Sequence, residues 1–212
     1  MTDPSAAWRQ AVREGEYLRW GAVTVPWTAA WTSEQSRESC YIRTERLDGR
    51  PLRFLCDGID TPGAGKPMFA ILHNERSREV VRHRLCQICR RDLVGGGICM
   101  NQGEREGIYP LINDGMPMCD PCAAMAVAQC PGLQRALSAN RLKVYRARDW
   151  LHAPVLIGAL PESQGGNPYV NALLAKERGP VFSGIKLALT RFSSVNPAML
   201  SARPAIVPAQ EG

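Results

Sequence analysis

Two closely spaced cysteine pairs constrain this chain more than any other feature of its sequence. Cys86 and Cys89 are separated by two residues, and a second pair with the same spacing follows after a gap of 29 residues. Two residues between cysteines allow both sulfurs to face a common centre, and two such pairs supply the four thiolates of a closed, tetrahedral zinc site. The sequence therefore predicts a structural Zn²⁺ ion bound by Cys86, Cys89, Cys119 and Cys122.

Three other roles for these cysteines remain open at this point. Unligated cysteines pack as small apolar side chains, although packing alone does not require two pairs at ligand spacing. A thioredoxin-like redox pair needs one Cys-x2-Cys motif after a strand in a βαβ unit and leaves the other pair without a role. An iron–sulfur cluster also accepts four thiolates. The repeated spacing favours zinc among these alternatives.

The surroundings of the second pair resemble a treble-clef zinc module. Cys119 precedes a predicted helix and Cys122 lies in its first turn, where the helix dipole stabilises a thiolate. A cysteine knuckle, an intervening hairpin and a helix that carries the last ligands are the layout of that superfamily. The segments RLCQICRRDL and MCDPCAAMAVAQCP resemble uncharacterised bacterial and phage zinc proteins with this double-knuckle pattern. The resemblance covers about residues 83–132 and implies a site architecture rather than a function.

Three neighbouring residues are candidates for the same site but are assigned other roles. Cys99 follows three glycines in the predicted hairpin. Cys130 lies eight residues beyond Cys122, which is more than roughly 10 Å along a straight helix. Both are predicted to be structural. His83 precedes Cys86 with a His-x2-Cys spacing, but four thiolates already complete a zinc site, so a surface position in the basic segment RHR is expected.

The composition and the N-terminal sequence indicate in which compartment the protein is expected. The chain has 212 residues, of which 45% are hydrophobic and 22% are charged, as is typical of globular domains. It shows neither a long uncharged apolar run nor the apolar segment of a secretory signal near its N-terminus. A cytoplasmic protein without membrane contact is therefore expected. In a reducing cytosol, clustered cysteines favour metal binding over disulfides.

Local patterns predict an α+β fold. A helix is predicted around Trp8 and Val12, and Asn74 is predicted to cap a helix that enters the cysteine region. The segments CYIRTERL and PLRFLCDG are predicted to form a hairpin with a turn at DGR. Further helices are predicted in DPCAAMAVAQC, LQRALSAN and NPYVNALLAKERG, the last ended by Gly179. Further strands are predicted in GAVTVPW, RLKVYRARDW, APVLIGAL and VFSGIKLALTRF.

These elements divide the chain into four predicted parts, with the treble-clef-like zinc module at the centre. A strand-rich part covers residues 1–72, the zinc module with its helices covers 73–138, and an αβ part covers 139–194. An irregular tail covers 195–212. Three tryptophans of the first part are expected in the core rather than at an interface: Trp20, Trp27 and Trp31.

Charge suggests a macromolecular partner. The chain has 26 Lys and Arg residues against 20 Asp and Glu residues, a net charge of +6, which favours anionic partners only weakly. Glu75 and Glu79 are spaced to pair with arginines on their own helix, so a solvated, self-paired helix is the alternative. The candidate contacts to phosphates and a stacked base are Arg78, Arg82, Arg141, Lys143, Tyr145 and Arg146. The sequence is thus interpreted as a zinc-stabilised binding protein whose partner is a protein or a nucleic acid.

Two enzymatic alternatives stay open. Nucleases of the His-metal kind carry similar knuckles, but their chemistry needs a histidine base, and none lies between Cys89 and Cys119. His73, His83 and His152 lie in no recognised catalytic motif. No catalytic residue is therefore assigned. A divergent treble-clef nuclease, or an enzyme whose active site is built from loops, are the alternatives to a non-enzymatic role.

Overall fold

The computed structural model describes residues 17–34, 37–102, 111–113, 115–164 and 166–201. It contains both helices and sheets, which confirms the predicted α+β class. The helix predicted around Trp8 and Val12 lies outside the described residues.

Most of the described strands belong to one large sheet. The strands are β1 (Leu18–Trp20), β2 (Val23–Val25), β3 (Ala29–Trp31), β4 (Tyr41–Leu47), β5 (Arg50–Cys56), β6 (Pro67–Leu72), β7 (Gly97–Gln102), β8 (Leu111–Asn113), β9 (Leu142–Ile157) and β10 (Val181–Val195). The large sheet has the order β4-β5-β10-β9-β7, and β8 also pairs with β10. Strands β1 and β2 pair with each other, as do β3 and β6. The sheet thus combines strands from all three predicted parts, whose boundaries stay a prediction.

The turn between β4 and β5 follows from two residues. Asp48 has a φ of 49° and Gly49 a φ of 79°, the left-handed values that a two-residue type I′ hairpin turn requires. Leu47 and Arg50 pair directly on either side of them. The predicted hairpin is therefore confirmed.

Strand β9 is longer than its sequence suggests. RLKVYRARDW and APVLIGAL were expected to be separate strands, but one strand runs from Leu142 to Ile157. Pro154 lies within it, opposite Ile185 of β10. Among the described residues, β7 pairs only with residues 142–147 of β9, so Pro154 lies where no described strand pairs with that side of β9, and its missing N–H removes no ladder hydrogen bond there.

Five helices are described: α1 (Asn74–Arg82), α2 (Asp120–Gln129), α3 (Pro131–Ser138), α4 (Pro168–Ala175) and α5 (Ala198–Ser201). Helix α1 packs on β10 and β5, and α5 packs on α2. Leu200 of α5 is buried, so this part of the tail is helical rather than irregular, because an apolar side chain anchors it. Among the described residues, no helix combines the length and the apolar character that a membrane crossing requires.

His73, rather than Asn74, is the N-cap of α1. Its side chain accepts a hydrogen bond from the backbone N–H of Arg76, and its Nε2 lies 2.9 Å from the carbonyl oxygen of Ile59. Asn74 is the first helical residue, and its N–H donates to Asp57 at 2.6 Å. The predicted cap was wrong by one residue because Asp57, which is distant in sequence, takes the N–H of Asn74.

The prediction that three tryptophans lie in the core is confirmed for two of them. Trp27 and Trp31 are 0% and 1% exposed, whereas Trp20 is 46% exposed. The guanidinium groups of Arg76 and Arg90 stand 5.4 and 5.0 Å from the centre of the Trp27 ring. The core prediction is therefore wrong for Trp20, which belongs to the small β1–β2 hairpin.

Candidate metal centre

The first cysteine pair lies in a tight turn between α1 and β7. The N–H of Cys86 donates to the carbonyl oxygen of Arg91, and the N–H of Arg90 donates to that of Cys86, both at 2.8 Å. Arg90 has a φ of 59°, a left-handed conformation that reverses the chain after Cys89. This knuckle brings both sulfurs to one centre.

The second pair is placed by the start of α2. Cys119 is the N-cap and Cys122 lies in the first turn, as predicted, so the positive end of the helix dipole faces both sulfurs. Gln87 of the first knuckle donates its N–H to Pro117 at 2.9 Å, which fastens the two pairs together. Asp120 accepts two hydrogen bonds from Arg146 of β9, at 2.6 and 3.1 Å, and this fork fixes the start of the helix on the sheet.

The four sulfurs converge. The Sγ atoms of Cys86, Cys89, Cys119 and Cys122 all lie within 4.8 Å of one another. The Sγ atoms of Cys89 and Cys119 are 3.8 Å apart. Four thiolates around one zinc ion, with Zn–S bonds of about 2.3 Å, stand roughly 3.8 Å from each other in a tetrahedron. The predicted cysteines therefore lie together, and the donor set fits a single metal ion.

The burial of two of the cysteines and the absence of disulfides agree with a metal site. Cys86 and Cys122 are 0% exposed, and none of the eight cysteines forms a disulfide. Comparisons with protein-family models, with curated proteins and with solved structures found no match for the chain. The chemistry of the site is therefore inferred from its own geometry.

The four thiols perturb one another's pKa values. Contacts with the other three sulfurs, chiefly that of Cys122, hold the pKa of Cys119 far below its usual range. The same contacts raise the pKa of Cys122, and burial raises the pKa of Cys86. Ionised sulfurs so close together repel each other without a counter-charge. A cation at their centre removes that repulsion.

Tyr17 belongs to the site although no pattern in the sequence pointed to it. Its hydroxyl lies 3.7 Å from the Sγ of Cys122, across 105 residues of chain. Burial, followed by the negative charge of Cys122, raises the pKa of Tyr17, so the hydroxyl stays protonated. It is placed to donate a hydrogen bond to the sulfur when that sulfur is a thiolate, as groups around metal ligands commonly do.

We expect Tyr17→Phe to weaken metal binding while leaving the four thiolates in place. Loss of one such supporting hydrogen bond lowers metal affinity by roughly tenfold. Competition with a chromophoric chelator measures this change. Tyr169→Phe, on the exposed face of α4, is the matched control and should leave the affinity unaltered. Equal affinities of Tyr17→Phe and the unsubstituted protein would show that the hydroxyl does not support the site.

The three neighbouring residues that were predicted not to be metal ligands lie outside the sulfur cluster. Cys99 is fully buried in β7 and pairs with Tyr145 of β9. Cys130 is exposed at the end of α2. His83 is exposed at the end of α1. Among the described residues, the cluster comprises the four predicted cysteines.

Between the two cysteine pairs, the two arms of the predicted hairpin meet at one antiparallel bridge, where Ile98 and Met118 exchange backbone hydrogen bonds of 2.7 and 2.9 Å. Strand β7 pairs with β9, and β8 pairs with β10. Both strands belong to the large sheet, because β9 and β10 are long enough to pair with them. In the described residues the predicted hairpin is therefore present as this single bridge, while β7 and β8 pair with the large sheet.

Three of the predicted phosphate contacts are already engaged within the protein. Arg78 is 1% exposed, and donates to the carbonyl oxygen of Leu55 and to Glu45, so its assignment to a solvent-facing surface is wrong. Arg82 also pairs with Glu45, and Arg146 with Asp120. Glu75 and Glu79, the expected helix partners, contact other groups. These arginines stabilise the fold, because carboxylates and carbonyl groups from other parts of the chain pair with them.

The remaining three residues lie at the start of β9, with Arg141 directly before the strand and Lys143 and Tyr145 within it. Arg141 and Lys143 are exposed, and Tyr145 is half-buried. The ring of Tyr145 meets that of Phe192 on β10 edge to face, with centroids 5.6 Å apart. Phe192 is 38% exposed, and sequence reasoning had not singled it out. The sheet thus presents an aromatic pair beside two basic residues.

Proposed function

We propose that the chain is a non-enzymatic binding protein with one structural Zn²⁺ ion held by Cys86, Cys89, Cys119 and Cys122. The observation that carries this proposal is the convergence of four sulfurs at the spacing of a single-ion site. A complete set of four thiolates leaves no position for an activated water, so the ion would contribute folding energy rather than hydrolysis. An iron–sulfur cluster distributes its thiolates over several iron atoms and so needs a wider spacing.

A treble-clef-like module is supported by the knuckle at Cys86 and Cys89 and by the helix that carries the last two ligands. Strands β7 and β8 would take the place of the usual hairpin, with their partners supplied by the large sheet. In this proposal the metal joins the segment after α1 to α2 and thereby stabilises one side of the sheet.

Elemental analysis of the purified protein tests the metal assignment. One zinc ion per chain is expected, together with the absence of visible absorption, since zinc has a filled d shell. Iron with visible absorption, or a protein that is folded and metal-free, would refute the zinc proposal.

Single-stranded nucleic acid is the partner that the sheet face favours. Exposed aromatic rings on a sheet stack with bases, and neighbouring cationic side chains contact the backbone. Tyr145 and Phe192 supply the rings, and Arg141 and Lys143 supply the charges. A protein partner is the alternative outcome of the test below.

We expect Phe192→Ala to weaken binding of a single-stranded oligonucleotide by roughly 5- to 100-fold, the usual effect of losing one stacking platform. Fluorescence anisotropy over a salt series measures this effect. Phe69→Ala, at an exposed position of β6, is the matched control and should bind normally. A similar loss in both variants, or no binding near physiological salt, would reject this interface and favour a protein partner.

A further inference from the structure

Helix α4 is apolar around its whole circumference, yet none of its residues is buried. The spacing of the apolar side chains along the helix places them on all of its sides. Helices that are apolar all round are normally buried, either in a protein core or in a membrane. Helix α4 therefore presents apolar surface that the described fold leaves uncovered. Its apolar residues are Tyr169, Val170, Ala172, Leu173, Leu174 and Ala175.

A pocket of about 250 Å³ lies between α4 and the ends of β9 and β10. The strand ends contribute Ile157 and Val181, which pair with each other, and α4 contributes Leu174 and Ala175. None of the eight lining residues that the structure describes is charged, and most of their side chains are aliphatic. The other four are Ala159, Asn171, Gly179 and Pro180. An apolar pocket thus adjoins the uncovered helix.

The one polar side chain of the pocket is already engaged. The Nδ2 group of Asn171 donates to the carbonyl oxygen of Leu160 at 2.7 Å, and its Oδ1 accepts the N–H of Leu160 at 3.3 Å. On the other side, Arg53 of β5 pairs with Glu177, and a Cβ atom added at Gly179 would lie 2.5 Å from Nη2 of Arg53. These links join α4 to the chain on both sides of the pocket, and the lining side chains offer a ligand apolar contacts.

The volume of the pocket and the charges next to it limit what it can hold. An apolar cavity of about 150 Å³ accommodates the six carbon atoms of benzene, so this pocket has room for roughly ten carbon atoms on the same scale. Lys176 and Arg178 directly follow α4 and are exposed, and no salt bridge of the described residues involves either of them. An apolar ligand with an anionic end therefore fits both the lining and the adjacent charges.

We propose that this pocket binds the hydrocarbon chain of a medium-chain alkanoate, a linear carboxylate of about eight to ten carbon atoms. The chain would lie between α4 and the strand ends, where each methylene leaves water and gains apolar contacts. The carboxylate would stay in solvent within reach of Lys176 and Arg178. None of these residues belongs to the metal site or to the aromatic pair, so the proposal goes beyond the proposed function and does not depend on it.

Titration calorimetry on the metal-loaded full chain tests the proposal with butanoate, hexanoate, octanoate, decanoate and dodecanoate, each below its micelle concentration. We expect saturable binding whose affinity rises roughly fourfold with each added methylene. The rise should stop near about ten carbon atoms, where the pocket is full. Binding that does not depend on chain length would overturn the proposal. A rise that continues unchanged to dodecanoate would also overturn it, because an open surface has no such limit.

Ala175→Phe should weaken octanoate binding at least about tenfold, because the added ring takes up the volume that the chain needs. Ala172→Phe is the matched control, since Ala172 is an exposed alanine of the same helix that does not line the pocket. Its affinity for octanoate should stay within about twofold of the unsubstituted protein. Circular dichroism checks that both variants are folded. Equal losses in two folded variants would place the binding outside the pocket and overturn the proposal.

Octanol tests the anionic end of the ligand. Lys176→Ala should lower the affinity for octanoate by about two- to fivefold and leave that for octanol unchanged, because an exposed ion pair contributes little. Octanol that binds as tightly as octanoate to the unsubstituted protein would overturn the assignment of the carboxylate to Lys176 and Arg178. Phe192→Ala should bind octanoate normally, so failure of the nucleic-acid interface and failure of this pocket are distinguishable.

Discussion

Cys86→Ser and Cys122→Ser are each expected to abolish tight metal binding and to leave the protein loosened or insoluble. Each sulfur is buried at the centre of the cluster, and three remaining thiolates form an incomplete site. Structural zinc contributes on the order of 10 kcal/mol to folding in small zinc peptides. Metal content per chain, together with circular dichroism during urea unfolding, measures the effect.

Cys40→Ser is the control for this prediction. Cys40 is half-buried and does not belong to the sulfur cluster, so its replacement should keep the metal content and change the unfolding free energy by far less. Full metal content and an unchanged urea midpoint in Cys86→Ser would show that the cluster is not the metal site. Removal of the metal by a chelator should reproduce the loosened state in the unsubstituted protein.

Glu34→Ala should cost about 3–5 kcal/mol of unfolding free energy, the usual result of removing one partner from a buried ion pair. Glu34 and Arg76 are 3% and 1% exposed, and their two hydrogen bonds measure 3.0 and 2.7 Å. Glu34 also accepts the N–H of Trp31 at 2.8 Å and that of Thr61 at 2.9 Å. The substitution leaves these donors, and much of the charge of Arg76, without compensation.

Urea unfolding of the metal-loaded protein measures this loss. Glu38→Ala, an exposed glutamate nearby in the chain, is the matched control and should change the unfolding free energy by less than about 0.5 kcal/mol. Equal midpoints for both variants would mean that Asp60, which also contacts Arg76 at 3.2 Å, compensates for the missing carboxylate. In that case the ion pair would not be the main link between α1 and the residues around Glu34.

Features that depend on residues close together along the chain could be predicted from the sequence. The cysteine spacing predicted the four converging sulfurs because a Cys-x2-Cys turn orients both side chains whatever surrounds it. Asp48 and Gly49 predicted their hairpin because they tolerate the left-handed backbone that a type I′ turn needs. The helix start at Cys119 was predicted because Pro121 suits a first turn. In each case the cause lies within a few residues of the effect.

Features that depend on distant contacts were decided by the tertiary structure. The pattern of α1 places Arg78 on a helix face, but only the packing of Phe54 and Glu45 against that face shows that its guanidinium group is buried. Tyr17 reaches Cys122 across 105 residues, a distance in sequence over which spacing carries no information. Strands β7 and β8 could have paired with each other, and they pair instead with β9 and β10. Local spacing thus determined which residues can hold a metal. Burial and pairing, which depend on contacts between distant parts of the chain, determined which of the charged residues are engaged in internal ion pairs.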